Sequence, residues 1–407
     1  MKHPDNNIFQ MMKRRIPLLQ DTREVTDFDD ETIANWYAAR RYVLDHINTW
    51  VPGRMDKDSG NSVSIAIDGH GPLVYAVVRH IALIAHFPNF NEEKQEHIST
   101  VTILYPKTYG IEDLEAELKC LEKEEYLSNL IKHSSYTLID AEGHTRDNAG
   151  LWFLDIKFVL KATEKYEPAK NETFISEEEI KEYTEKNCPT AFTDEELTAA
   201  MLVNQAYSAG VEIRNLSSSE NDKASRYGMA LECLNSAKRR KAHQQWEECF
   251  SRNNVQSILS CIFCSDTFEP HLHQIMDFKE EITQEYLITN LNAIQKAIVN
   301  NLTPLSKSEH ARWNAEKLIL GYRPLSEEEV FTDEIKVVKK ERDDYRKKLK
   351  RHKTAPAHID ILGFRDLKRI NPEDQKYDYF IMLAIPTILI QKYQTPNAIT
   401  RFLAHFI

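Results

Sequence analysis

Two periods alternate along the first third of the chain. Ile33, Trp36, Tyr37, Val43 and Ile47 recur at helical spacing, and Asp29 or Asp30 can cap the helix they predict. Pro52 and Gly53 end it, and the polar, turn-rich stretch from Arg54 to Asn61 is expected to be a linker. A β-branched run at 63–67 (VSIAI) then predicts a buried parallel strand. The almost wholly apolar stretch Leu73 to Phe87 predicts a buried helix. Ser99 to Tyr105 predicts a second strand, and the acidic run IEDLEAELKCLEKEEYLSNLIKH, Ile111 to His133, predicts one helix. Ser135 to Ala141 and Leu151 to Leu160 predict two more strands. Strand, helix, strand, helix, strand is the pattern of a doubly wound α/β sheet.

The second half changes character. Thr163 to Lys186 is Glu/Lys-rich and poor in bulky apolar residues, so it is expected to be a solvated connector. Residues 194–300 show helical spacing almost throughout, and another helix opens at Thr303–Pro304. The predicted fold class is therefore α/β plus mainly α. A peripheral helical segment spans 1–55, a doubly wound parallel sheet 56–165, a helical connector 166–300 and a helical domain 301–407.

Composition narrows the class. Of 407 residues, 42% are apolar and 28% charged, which sustains a solvent-excluded core and excludes wholesale disorder. Eleven glycines in such a length favour helices over turn-dense β architectures. A net charge of −11 repels phosphate backbones, so nucleic acid is an unlikely partner. The Lys/Arg-rich run Glu334 to Lys353 does not reverse this, because Glu341, Asp343 and Asp344 interleave as on a solvated helix. Six cysteines are too few for a disulfide framework. The longest apolar run, Phe380 to Ile390, is too short to span a bilayer and contains Pro386. The expectation is a soluble, cytoplasmic protein with no membrane insertion.

Candidate chemistry begins at Asp68-Gly69-His70-Gly71-Pro72, directly after the first strand. Glycines there let a backbone approach a diphosphate, and the next helix aims its free N–H groups at it. Pro72 suits a first helical turn. The third position of G-x-G-x-x-G falls on Val74, and the second strand ends Leu104-Tyr105-Pro106 with no acid to grip a ribose. Asp68, Gly69, His70 and Gly71 are the candidate phosphate-binding loop, and a retained fold with an altered pocket is the competing reading. With Leu73 to Phe87 and the following VTILYP, this segment resembles the NAD-binding domain of bacterial potassium-uptake regulators (the TrkA-N type). That resemblance implies a Rossmann-like domain over roughly 60–165, a nucleotide or dinucleotide as its ligand, and pairing into a homodimer. The family's ribose-selecting acid is missing at Tyr105 or Pro106.

The segment Leu305 to Pro324 carries the second constellation. His310, Trp313, Asn314 and Lys317 share one helical face at i, i+3, i+4 and i+7, and Gly321 ends the helix. An aromatic plane beside a cation, an amide and an imidazole can stack a base and pair a phosphate. The plainer alternative is that Trp313 packs the core while the polar residues face solvent. Leu305, Glu309-His310, Trp313 and Gly321-Tyr322 resemble the ryanodine-receptor-type repeat domain (RyR domain). His358, Ile361, Phe364, Leu367, Asn371-Pro372-Glu373-Asp374 and Asp378 resemble its second half. The resemblance spans about 303–393 around the Glu334–Lys353 insertion. Trp246 to Asn254 is similar to the helical connector that joins such a repeat to a TrkA-N-like domain. The resemblance implies a sensor of a nucleotide-derived small molecule, in bacterial antiviral signalling, with His310, Trp313, Lys317, Tyr322 and His358 in the pocket. Arg312 and Arg323 join them on charge and position alone. No catalytic residue is implied.

Cys261 and Cys264 with His271 and His273 have the residue types for zinc, but CIFC is apolar and helical, which favours core cysteines and no metal. No G-x-S-x-G elbow, phosphate-loop lysine motif or H-E-x-x-H pair occurs. A nucleotide-processing enzyme gated by the C-terminal domain, and a scaffold that has lost its ligands, are the alternative functions.

Overall fold

The computed structural model describes residues 30–124, 127–187, 192–214, 255–276, 281–326, 329, 344, 348–349, 356–370 and 372–394. Residues 1–29, the Trp246–Asn254 segment and nearly all of the Glu334–Lys353 run lie outside them.

Helix α1 (Asp30–Trp50) precedes β1 (Ser64–Asp68), α2 (Pro72–Ile84), β2 (Ser99–Pro106), α3 (Ile111–Leu121) and α4 (Ser128–His133). Then come β3 (Ser135–Ile139), β4 (Thr145–Asn148), β5 (Ile156–Thr163), β6 (Glu172–Ser176) and α5 (Glu177–Asn187). The sheet order is β4-β3-β5-β2-β1-β6, and every neighbouring pair is parallel except the β3–β4 hairpin. This mixed, parallel-dominated six-stranded sheet with flanking helices is a Rossmann-like α/β arrangement. The central strands β1, β2 and β5 are nearly continuous apolar runs because both sheet faces are covered.

Four expectations are corrected here. The stretch read as a solvated connector holds β6 and α5, and β6 completes one edge by pairing in register with β1. Its signal is faint because Ile175 is the one buried side chain of the strand. Helix α1 is not peripheral: Tyr37, Tyr42, Val43 and Ile47 are buried against α2. Strand β5 starts five residues later than expected, because Leu151 to Asp155 form the turn that leads into it. The run Ile111 to His133, expected as one helix, forms two, α3 and α4.

The helical half comprises α6 (Asp194–Arg214), α7 (Val255–Asp266), α8 (Phe268–Met276), α9 (Gln284–Thr289), α10 (Leu291–Asn300) and α11 (Leu302–Ile319). The two-residue strands β7 (Arg323–Pro324) and β8 (Ala357–His358) pair in parallel before α12 (Phe364–Ile370) and α13 (Pro372–Gln394). Helix α13 packs on α6, α11 and α12, and α11 also reaches α2 and α4. One apolar cluster runs from Trp36 to Leu389, so the sheet and the helices share a core. Among the described residues no helix is long and apolar enough to cross a membrane.

Candidate functional site

Helix α11 builds the site because its opposite faces meet different surroundings. Its end is fixed by Gly321, whose φ of +85° suits the left-handed residue after a helix. Gly321 N donates to Leu318 O, and Tyr322 N donates back to Lys317 O, so Tyr322 is folded over the last turn.

On one face, Trp313 is half-buried and gathers the predicted residues around it. The His310 ring lies parallel to the indole, 5.8 Å between centroids and 11° between planes. His358 meets the indole edge-on at 4.8 Å, and Tyr322 meets His358 edge-on at 5.9 Å. The Lys317 ammonium lies 5.3 Å from the indole centroid. Residues almost fifty positions apart in sequence are thus brought to one place by the α11 turn and the β7–β8 pair.

Both nitrogens of His310 are engaged. Nε2 lies 2.9 Å from the Leu362 carbonyl, and Nδ1 lies 3.3 Å from the Asp378 carboxylate. Asn314 Nδ2 donates to the same Leu362 carbonyl at 2.9 Å. Burial opposes the imidazolium, but Asp378, the Leu362 carbonyl and Asp360 together outweigh it and raise the His310 pKa. Burial also lifts the Asp378 carboxyl, to about 6, against the pull of His310.

The other face of α11 is sealed. Arg312 is 0% exposed, with Nε and one terminal nitrogen on Glu309 at 2.9 and 2.8 Å and the other on Glu316 at 2.6 Å. Both glutamates are also 0% exposed. Arg312 therefore belongs to a buried ion cluster and not to the Trp313 face, which corrects its assignment as a ligand residue. Arg323 sits beside Tyr322, but its guanidinium forks onto Glu329 with both contacts at 2.7 Å. That pairing holds the Glu329 carboxyl at about 2.

The α/β half frames this face. Asn129, on α4, donates to the carbonyls of Gly321 and Tyr322 at 2.6 and 3.1 Å. His133 on the same helix has its pKa lowered by burial and by the charges of Lys132 and Arg323. On the far side, Phe364 N donates to Glu92 at 3.1 Å, and burial raises the Glu92 pKa despite that bond. The Trp313 face therefore lies at a seam between the sheet and the C-terminal helices. None of these framing residues was marked by the sequence, because no local pattern announces a contact across the chain.

The glycine turn after β1 has the expected backbone. Gly69 and Gly71 have φ of +138° and +131°, Pro72 opens α2, and no side chain caps that helix. Its surroundings oppose phosphate, however. A Cβ placed on Gly69 would come 2.7 Å from both Cβ and Oε2 of Glu177, so a carboxylate already lies on the turn. Asp68 is exposed beside it, and Lys181 pairs Glu177 at 2.6 Å. His70 stacks on Tyr105 at 5.5 Å, and Tyr105 on Tyr109 at 5.7 Å, at the strand end where dinucleotide-binding folds carry a ribose-gripping acid. Lys181 meets the charge of Glu177, so Glu177 opposes a phosphate by filling the space over Gly69, and Asp68 opposes it by charge.

Cys261, Cys264 and His271 are buried, and burial pushes the Cys264 thiol well up and the His271 imidazole down to about 4. They do not assemble with His273 as ligands. Among the described residues, the group whose ligand atoms gather within 4.8 Å is Asp140, Glu142 and His144, in the β3–β4 turn. There Asp140 is spent on the backbone and ring of His144, each at 2.8 Å. No protein-family model, curated protein or solved structure matches this chain.

Proposed function

We propose that this protein is a non-catalytic sensor whose ligand is a nucleotide-derived small molecule held on the Trp313 face of α11. The observation that carries the reading is the convergence of a half-buried indole with His310, His358 and Tyr322, and of Lys317 at 5.3 Å from the ring. A purine stacks on an indole, and an ammonium beside it pairs with the attached phosphate. Burial of the His310 ring, with Nε2 on the Leu362 carbonyl and Nδ1 facing Asp378, supports binding over proton transfer to a substrate.

The reading agrees with the resemblance to RyR-type domains and, through it, with a signalling role for the ligand in antiviral defence. A homodimer paired through the α/β half, in the cytoplasm, belongs to the same proposal. The glycine turn is left out of the site because Glu177 and Asp68 occupy its surroundings. Mass spectrometry of the small molecules released by heat tests the proposal. A nucleotide-derived compound released from the wild type and missing from Trp313→Ala is the expected result. Equal release from both proteins, or no release together with no thermal shift from ADP-ribose, NAD or AMP, contradicts it.

A further inference from the structure

We infer that Lys317 transmits occupancy of the Trp313 face to helix α7, by exchanging its partner Glu316 for the anionic part of the ligand. The inference rests on the reading that a phosphate-bearing ligand sits on that face. Lys317 joins the two faces of α11. Its side chain is 14% exposed, and its ammonium lies near the indole on one side and 2.6 Å from Glu316 Oε1 on the other.

Behind it stands a closed electrostatic unit. Glu316 Oε2 accepts from Arg312 at 2.6 Å and from the Ser260 hydroxyl, on α7, at 2.9 Å. Arg312 also holds Glu309, which accepts from the Tyr207 hydroxyl, on α6, at 3.4 Å. Two cations balance two carboxylates, and all of them but Lys317 are sealed from water. Burial pushes the Glu316 carboxyl up, while Lys317 and Arg312 together bring it below its ordinary value.

Balance of this kind responds strongly when one charge leaves. An ammonium drawn about an ion-pair length toward a phosphate takes its charge from a carboxylate that has no water to replace it. Glu316 must then lean harder on Arg312 or draw in solvent. Either change alters its bond to Ser260, and α7 packs on α6 and α11. A ligand shifts an equilibrium only by its differential affinity for two arrangements, and the Lys317–Glu316 pair, present in one and broken in the other, supplies that difference.

Hydrogen–deuterium exchange of the full chain with ADP-ribose as probe tests this. In the wild type, ADP-ribose should change amide exchange across 255–266 by about fivefold or more, the size of a modest allosteric coupling. Ser260→Ala should bind ADP-ribose with unchanged affinity while that response disappears. Glu316→Gln holds Lys317 less tightly, so it should bind about tenfold more strongly, also without the response. Ser260→Ala removes one hydroxyl and carries the test if Glu316→Gln fails to fold. Binding that leaves 255–266 unchanged in the wild type, or a response retained in Ser260→Ala, overturns the relay and leaves the binding face standing. Absence of wild-type binding to ADP-ribose, NAD and AMP overturns the binding face and the relay with it.

Discussion

The turn after β1 and the last turns of α11 divide between them the two ingredients of a nucleotide site. The first has the backbone: two glycines with positive φ and an uncapped helix behind them. It also has Glu177 lying on Gly69 and Asp68 exposed beside it. The second has no glycine loop, but it has an indole, two imidazoles, a phenol and an ammonium in one place. Free N–H groups at a helix start attract anions weakly, by about 0.3–1 kcal/mol near a surface. Asp68 beside the turn offsets that, and Glu177 fills the space over Gly69. In the proposed reading, charge and space more than backbone shape favour the α11 face for a phosphate.

The comparison can be broken most sharply at Arg312. Replacing it by Ala leaves Glu309 buried without its cation and Glu316 with Lys317 alone, which should cost roughly 3–5 kcal/mol in denaturant unfolding. A loss below about 1 kcal/mol would show that the sealed face of α11 is wetter than described. Asp378→Asn comes next. His310 and Asp378 both have raised pKa values, so the folded chain binds protons more tightly than the unfolded one. Their stabilisation is present below the unfolded carboxyl value and is lost as pH rises through about 6 and on past the His310 value. The wild type should therefore lose on the order of 1–3 kcal/mol between pH 4 and 8 from this pair. Asp378→Asn should flatten that slope, measured as unfolding midpoint against pH, and an unaltered slope would remove the pair from the account. The smallest effect belongs to Gly71→Asp. A working phosphate loop would lose its ligand on gaining that charge, whereas here ADP-ribose affinity should stay within about twofold. A tenfold loss would return the turn after β1 to the site.

Much of the sheet was legible because buried parallel strands are written as apolar runs. VSIAI and STVTILY gave β1 and β2 nearly to the residue, and the Asp68–Pro72 turn fell where a first strand meets its helix. Strand β6 was missed because an edge strand shows one buried side chain, and TRDN in β4 shows none. On α11 the spacing of His310, Trp313 and Lys317 marked one face, the RyR resemblance implied Tyr322 and His358 as well, and the structure brings both beside it. The misplacement of Arg312 was avoidable in part. Glu309, Arg312 and Glu316 stand at i, i+3 and i+7, the spacing of a mutually paired row. Charged residues are ordinarily exposed, so the row suggests solvent until its neighbours Ser260 and Tyr207 are seen to cover it. Nothing local to Asn129, Glu92 or His133 could signal that they frame a face more than 170 positions away.

The central claim is that the Trp313 indole is the surface on which a base lies. Isothermal titration of ADP-ribose into the wild type and into folded Trp313→Ala measures it directly. Stacking of a base on an aromatic ring contributes about 1–3 kcal/mol, so the variant should lose roughly five- to 150-fold in affinity while keeping its far-UV spectrum and most of its stability. Equal affinity in a folded variant would contradict the account and return Trp313 to the core.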